Sequence, residues 1–465
     1  MPKFHDDGFT WDALERAVDK YRASIEDLPA IRPFNASEIR SHLAAAYPFD
    51  RPLPGDEVIS DVAVILERWS VHTPNPAYFG LFNPDTLPIT IAADALVAAF
   101  NPQLATWSHA PGANEMERHV LRTIERLAGL DSSLCASTFT AGGSEANHSA
   151  VIVALTRADP EFTSRGARVF AGQPVLYISR EAHHSFVKIA HACGLGREAV
   201  REIDVDENLR MKPAALRLQI EQDRLDGLCP FMVVATAGTT SAGAIDPIPE
   251  ISEVCRGENL WLHVDAAWGG GALLSRRLRP LLDGIDQADS ITFDAHKWLS
   301  VPMGAGMFLC RHRQAVHNAF SIQTAYMPMN EGTPDPYHST LQWSRRFNGL
   351  KAFMALANLG LPGYEGLIDH QSEMGNLLKS SLVEAGWIIV NRTELPIACF
   401  THTRIQSGDV SIDAVLARIY DDGRHWISIT EPTGVGRVLR ACITNYRTEP
   451  KHIKSLIAAL QSATG

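Results

Sequence analysis

Cysteine is scarce and scattered in this chain: seven among 465 residues, at 135, 193, 229, 255, 310, 399 and 442, with no C-x-x-C pair. That spacing excludes a disulfide-stapled scaffold and a cysteine-based zinc site, and leaves most of the thiols as small buried hydrophobes. Positive charge is also short. Lys and Arg number 42 against 53 Asp and Glu, a formal net charge of −11. This argues against nucleic acid or an anionic membrane as main partner, since both reward clustered cations, and favours small molecules. No apolar run is long enough to span a bilayer, and the polar start Met-Pro-Lys-Phe-His-Asp-Asp-Gly lacks the charged-then-apolar order of a secretion signal. The expectation is a soluble, cytoplasmic protein. Repeats, low-complexity segments and a G-x-x-x-x-G-K-[ST] phosphate loop are missing too. Gly194-Leu-Gly-Arg-Glu-Ala199 matches a dinucleotide fingerprint in letters alone, because a helical stretch and not a strand precedes it.

What is present is a long alternating pattern. Residues 1–81 read as helices broken by prolines (Trp11 to Ile25, Ala36 to Ala46, Asp56 to Trp69) with an apolar face and no core of their own: an arm to be stapled to the main body or to a partner. From 82 to 345, strand-like runs (Val175 to Ser179, Phe231 to Ala235, Trp261 to Val264, Ser290 to Phe293, Gly306 to Cys310) alternate with helical stretches such as Ala146 to Arg157 and Ile248 to Arg256. That order predicts an α/β fold with a mainly parallel sheet, whose active-site groups gather at the carboxyl ends of its strands. Residues 346–465 read as a smaller α+β domain: a helix from Phe347 to Leu359, a break at Pro362-Gly363, a strand from Val438 to Ile443 and a final helix from Lys451 to Gln461.

Polar clusters fall at those strand ends. Ser290-Ile-Thr-Phe-Asp-Ala-His-Lys-Trp-Leu-Ser-Val-Pro-Met-Gly-Ala-Gly306 delivers Lys297 on the end of a strand, between a His and a Trp, where a half-buried amine can attack a carbonyl. Gly142-Gly143-Ser144 opens a helix and offers free N–H groups to an anion such as a phosphate, although a plain tight turn with Ser144 as cap would give the same letters. His183, His184 and His191 do not share one helical face and have no Cys or carboxylate beside them, so metal is not expected; a His at a strand end can stack on an aromatic ring instead. Asp265 in His263-Val-Asp-Ala-Ala-Trp268 needs a cation or a structural Arg to offset its burial. One guest satisfies the phosphate cradle, the ring stacker, the carboxylate and the amine together: pyridoxal phosphate.

In sequence order, Gly142-Gly143-Ser144-Glu145-Ala146-Asn147, Ala182-His183, Gly238-Thr239-Thr240, His263 to Trp268 and His296-Lys297-Trp298-Leu299 resemble the group II pyridoxal-phosphate-dependent amino acid decarboxylases, which include the aromatic-L-amino-acid, glutamate and histidine enzymes. The resemblance covers roughly residues 60 to 460 and extends to Leu341-Gln-Trp-Ser-Arg-Arg-Phe347 and Leu439-Arg-Ala-Cys-Ile-Thr-Asn445. It implies fold type I, the aspartate aminotransferase-like architecture, and a homodimer with the site at the interface. It also implies roles. Lys297 binds the cofactor's aldehyde covalently, Asp265 pairs with the ring nitrogen, His183 stacks on the ring, and Gly143 and Ser144 hold the phosphate. Ala267 leaves room for the ring, Thr240 and His296 line the site, and Tyr326, in a loop with the composition of a lid, returns a proton to the α-carbon. The implied activity is decarboxylation of an L-amino acid to an amine. Alternatives are oxygen-dependent conversion to an aldehyde or amino transfer on the same scaffold, and, further off, a non-catalytic pyridoxal-phosphate binder.

Three departures bear on the substrate and the phosphate. Ala295 stands where many relatives have Pro, Asp294 where some have Asn, and His109-Ala-Pro-Gly where many have a Ser-Pro pair. Asp294 is therefore a doubtful phosphate contact. Tyr78, Phe79, Trp107 and His109 suggest a substrate pocket with aromatic walls, though aromatic packing would look the same. Arg346 and Arg440 can meet a substrate carboxylate or pair with acidic residues in the core, and core pairing is the preferred reading. Which amino acid is used is not legible.

Overall fold

The computed structural model describes residues 10–322, 324 and 335–465. Seven strands form the central sheet: β1 (Thr138–Thr140), β2 (Pro174–Ser179), β3 (Val200–Ile203), β4 (Cys229–Thr236), β5 (Trp261–Asp265), β6 (Ser290–Asp294) and β7 (Gly306–Cys310), in the spatial order β1-β7-β6-β5-β4-β2-β3. Neighbours from β3 to β6 pair in parallel, while β7 runs opposite to both β1 and β6. Strands buried on both faces read as continuous apolar runs, which is why β2, β4, β5, β6 and β7 stand out in the sequence. The other two do not, for local reasons. β1 is only Thr-Phe-Thr, and β3, Val-Arg-Glu-Ile at the sheet edge, has a single fully buried residue.

Side chains alternate across the sheet. Val175, Tyr177, Val264 and Ile291 enter one core layer; Leu176, Ile178, Val234 and Phe308 enter the other, under the helix Gly143–Ala158. The C-terminal part carries its own antiparallel sheet of β8 (Ile388–Ile389), β9 (Ile397–Thr401), β10 (Ser428–Thr430) and β11 (Val438–Cys442), in the order β10-β11-β9-β8, over a separate apolar cluster. The helix that begins at Gly349 ends where expected, at Leu359, and a second helix follows the break and runs to Glu384. Gly360, at φ 63°, takes the left-handed turn, and Pro362, which has no N–H to lose, starts the next segment.

The arm consists of α1 (Trp11–Ser24), α2 (Ala36–Ala46) and α3 (Gly55–Arg68), with α1 packed on α3. Arg22 pairs with the fully buried Asp85, and the Asn75 amide donates to the carbonyls of Ile25 and Leu28, so the arm is tied to the body at its root. No residue of α2 or α3 is buried, and Leu43, Val62, Val64 and Leu66 are exposed. Among the described residues no helix is long and apolar enough to cross a membrane.

Candidate active site

Because β1 and β6 both run opposite to β7, the carboxyl ends of β1, β2, β4, β5 and β6 share one edge of the sheet. The segments that follow them enclose a cavity of about 480 Å³ lined by, among others, Gly143, Ser144, His183, Asp265, Ala267 and Lys297. Thr240 and His296 line it as well. Every cofactor-site residue singled out in the sequence therefore reaches one cavity. Tyr326 lies outside the described residues.

Lys297 sits in a one-turn helix, Ala295–Trp298, directly after β6. Its side chain is 25% exposed and its Nζ lies 3.0 Å from Asp294 Oδ2. Asp294 is buried, its Oδ1 has no hydrogen-bond partner, and His296 Nε2 stands 3.8 Å from Oδ2. The expected half-buried amine is thus present, but it faces a carboxylate. Burial pushes the His296 imidazole pKa down, with Asp294 partly offsetting, and its Nδ1 accepts from the Ala305 N–H at 3.2 Å.

Asp265 ends β5, buried. No Arg or Lys among the described residues pairs with it. Its Oδ1 accepts from the Ala267 N–H at 3.1 Å and its Oδ2 from the Asn147 side-chain amide at 2.9 Å. Asn147 was not singled out from the sequence. The available signal was spacing: it lies four residues, about one helical turn, after Gly143, on the face that looks at the sheet. The His183 ring opens onto the cavity, and its Nδ1 accepts from the Ser185 N–H at 3.3 Å, which leaves Nε2 to carry the proton of the neutral ring. Burial lowers its pKa, opposed by Asp265 and reinforced by Lys297.

Arg440 departs from the expected acidic partner. It is buried, its Nε donates to the Thr240 carbonyl at 3.0 Å and Nη1 to the Gly80 carbonyl at 2.8 Å, its guanidinium lies over the Phe82 ring, and Nη2 has no partner. Arg346 does pair with a carboxylate, Asp94, at 3.0 Å. None of Tyr78, Phe79, Trp107 and His109 lines the Lys297 cavity. Tyr78 is buried against Trp426, Phe79 belongs to the C-terminal core, the Trp107 indole donates to Glu115, and His109 lines a separate apolar cavity of about 360 Å³. The motif around Leu341 serves as an anchor: Gln342 donates to both oxygens of Glu145, and buried Arg345 pairs with buried Glu117.

Residues 38–403 match the model of the pyridoxal-dependent decarboxylase conserved domain. The chain belongs to this decarboxylase family. It is 29% identical over 405 residues to the aromatic-L-amino-acid decarboxylase of Bacillus atrophaeus, covering 84% of this chain and 82% of that one. It is 34% identical over 339 residues to the cysteine sulfinic acid decarboxylase of Homo sapiens, covering 72% and 68%. The crystal structure of mouse CSAD superposes with a TM-score of 0.89 at 27% identity, covering 97% of this chain and 98% of that one. The protein is a pyridoxal-phosphate-dependent carboxy-lyase of fold type I.

The cavity suits that cofactor. The helix beginning at Gly143 has no side-chain cap, so its first N–H groups are available to a phosphate. A Cβ on Gly143 would stand 2.7 Å from Asp294 Oδ2 and 3.2 Å from Ala267 Cβ, so only glycine keeps that wall open. The buried Thr236 hydroxyl and Asp294 Oδ1, on residues that line the cavity, have no partners among the described residues. A carboxylate, an imidazole and a primary amine converge as a phosphorylated pyridine aldehyde requires.

Proposed function

We propose that this decarboxylase converts an L-amino acid to its amine and carbon dioxide, with Lys297, Asp265 and His183 as the residues that carry the reaction. The observation behind this reading is their convergence, with the uncapped helix start at Gly143, on one cavity at the sheet's carboxyl edge. Bound there, the cofactor supplies an electron sink for the bond to the departing carboxylate. The protein's part is to hold and orient. Gly143 and Ser144 take the phosphate on the helix N-terminus, Lys297 provides the amine that reacts with the aldehyde, and Asp265 offers a fixed carboxylate to the ring nitrogen. His183 would stack on the ring with Nε2–H turned to the substrate, and Ala267, Thr240 and His296 would shape the walls.

Arg440 is proposed to meet a substrate carboxylate. Its Nη2 is buried and has no partner among the described residues, while Nε and Nη1 are held by two carbonyls, one of them that of Thr240, which lines the cavity. Tyr326, in the stretch that resembles the family's catalytic loop, is proposed to return the proton to the α-carbon. Residues 1–81, 82–345 and 346–465 act as arm, cofactor domain and small domain. Apolar side chains left exposed along α2 and α3 support a homodimer that covers them, and the acidic, span-free sequence supports a cytoplasmic location.

The test is a carbon dioxide release screen of the reconstituted protein over L-amino acids, including ornithine, diaminobutyrate and cysteine sulfinate, with amine, ammonia and peroxide measured together. Amine equal to carbon dioxide is the expected result. Ammonia and peroxide in proportion to carbon dioxide would replace the amine product with an aldehyde, and no release from any of them would overturn the reading.

A further inference from the structure

A file of buried polar side chains runs across the face of β5 and β6 that the helix Gly143–Ala158 covers. Trp261, His263 and Asp265 alternate along β5 and so share a face, as do Ser290 and Thr292 on β6. The parallel register sets His263 beside Ser290 and Asp265 beside Thr292. Trp261 is 5% exposed, Asn147 2%, and His263, Ser290 and Thr292 are fully buried. On a parallel sheet, where apolar side chains normally fill this layer, such a file must be fully satisfied to be tolerated.

It is satisfied, and with one polarity. The Trp261 indole lies 2.8 Å from Ser290 Oγ, Ser290 Oγ 2.8 Å from His263 Nδ1, His263 Nε2 3.0 Å from Asn147 Oδ1, and Asn147 Nδ2 2.9 Å from Asp265 Oδ2. An indole N–H only donates and a carboxylate only accepts. The amide of Asn147 must therefore turn its NH₂ to Asp265 and its oxygen to His263. His263 must donate from Nε2, which leaves Nδ1 to accept the Ser290 hydroxyl, and that hydroxyl oxygen takes the indole N–H. Thr292 Oγ donates a second bond to the Asn147 oxygen, at 2.7 Å. Burial holds the His263 pKa down at about 4, so the neutral ring this arrangement needs is the one present at neutral pH.

We propose that Asn147 is a positioning residue for Asp265, locked in orientation by the Nε2–H tautomer of His263, and that it makes the phosphate turn and the ring-nitrogen carboxylate one rigid unit. Gly143 and Asn147 stand on the same helix, one at the phosphate and the other on the carboxylate, so the two ends of the cofactor are gripped at a set distance. The Asn147 amide also lies 3.3 Å from Ser185 Oγ, the residue whose backbone N–H holds His183. This inference rests on the reading that Asp265 meets the ring nitrogen.

The experiment compares the full-length protein with Asn147→Leu, Ser290→Ala and Asp265→Asn. It measures the cofactor dissociation constant by quenching of intrinsic fluorescence, and the pH titration of the bound cofactor's absorbance, with circular dichroism as the fold control. Asn147→Leu is expected to bind the cofactor about tenfold more weakly or worse, as for a lost hydrogen bond to a charged group, and to move the spectral pH midpoint. Ser290→Ala breaks the file two links from the carboxylate; about threefold in the same direction is expected, and this variant carries the test if Asn147→Leu does not fold. Wild-type affinity and titration in Asn147→Leu, with both altered in Asp265→Asn, would overturn the positioning role alone. Unchanged values in Ser290→Ala would overturn the directional file. Unchanged values in Asp265→Asn would instead remove the ring-nitrogen reading on which the inference stands.

Discussion

Lys297 Nζ and Asp294 Oδ2 stand 3.0 Å apart at the end of β6, so the amine of the candidate site is held as half of an ion pair whose other half is buried. To reach an aldehyde, that amine must first leave the carboxylate oxygen that holds it. Asp294→Asn is therefore expected to capture pyridoxal phosphate several-fold faster at fixed neutral pH, followed by stopped-flow absorbance. Lys297→Ala should leave no cofactor fixed to the chain after borohydride reduction, as read by mass spectrometry. Covalent labelling that survives in Lys297→Ala would remove Lys297 from its proposed role.

Gly143→Ala tests the phosphate wall. The added Cβ meets Asp294 Oδ2 at 2.7 Å, and overpacking of this kind costs about 1–3 kcal/mol. The expected outcome is cofactor affinity lower by tenfold or more, with a smaller change in apoprotein melting temperature. Equal affinity for wild type and variant would place the phosphate elsewhere.

Arg440→Lys separates substrate recognition from cofactor binding. Lysine can keep a charge there but cannot serve two carbonyls and a carboxylate with one planar fork. On the proposed role, kcat/KM falls roughly tenfold to hundredfold while the cofactor dissociation constant stays within about twofold. A parallel loss of cofactor affinity would mark Arg440 as architectural.

Acid should unfold this protein through its histidines. His263 and the buried His425, whose Nε2 is 3.0 Å from Ser455 Oγ, both have pKa values lowered by burial to about 4. Groups depressed in this way contribute stability above their unfolded value near 6.5 that is lost as pH falls through about 4, on the order of 3 kcal/mol each. Asp246, fully enclosed and raised to about 6, works in the opposite sense: its contribution is complete below about 3.8 and is lost as pH rises through 6. Two histidines outweigh one aspartate, so the melting temperature is expected to drop between pH 6.5 and 4. With Asp246 offsetting one histidine, His425→Gln should remove most of that limb. An identical acid limb in the variant would show that His425 takes no part.

Thiol reagents should act slowly on the native protein. All seven cysteines are free, and burial raises the pKa of Cys135, Cys399 and Cys442 to about 12 and of Cys193 to about 11, with Cys255 and Cys310 also raised. Those six hold little thiolate near pH 8 to react. Full alkylation is expected only after denaturation, counted by mass. Rapid loss of several thiols from the native state would contradict it.

Much of this architecture is written in the chain. The apolar runs of β2, β4, β5, β6 and β7 announce a sheet, and polar letters at strand ends such as Asp265, His183 and Lys297 announce where ligands gather. What stays hidden depends on register between distant segments. Nothing local says that Asp265 is met by Asn147, because that bond spans 118 positions and arises from the helix lying over β5. The Asp294–Lys297 pair is local, yet it forms because the one-turn helix after β6 folds the amine back. Arg440 looked like half of a core ion pair, and the structure gives it carbonyls. The aromatic quartet of Tyr78, Phe79, Trp107 and His109 looked like a substrate wall, but none of the four lines the Lys297 cavity, and Tyr78 and Phe79 are buried in packing. Composition cannot distinguish a ring that lines a pocket from one that fills a core.

The antiparallel placement of β7 also sets an order of assembly. β1 has β7 as its sheet partner, with Thr140 opposite Gly306, and Gly306 passes so close to Gly142 that a Cβ there would stand 2.6 Å from the Gly142 backbone. On a ribosome, the turn at 142–144 is made early, yet it cannot take its final shape until residues 306–310 emerge and slot between β1 and β6. The nascent chain can zip up β2 through β6 while that turn waits. Cofactor capture is thereby deferred to a late stage of synthesis, and a truncated product ending before β7 would carry Lys297 without a finished place to bind phosphate.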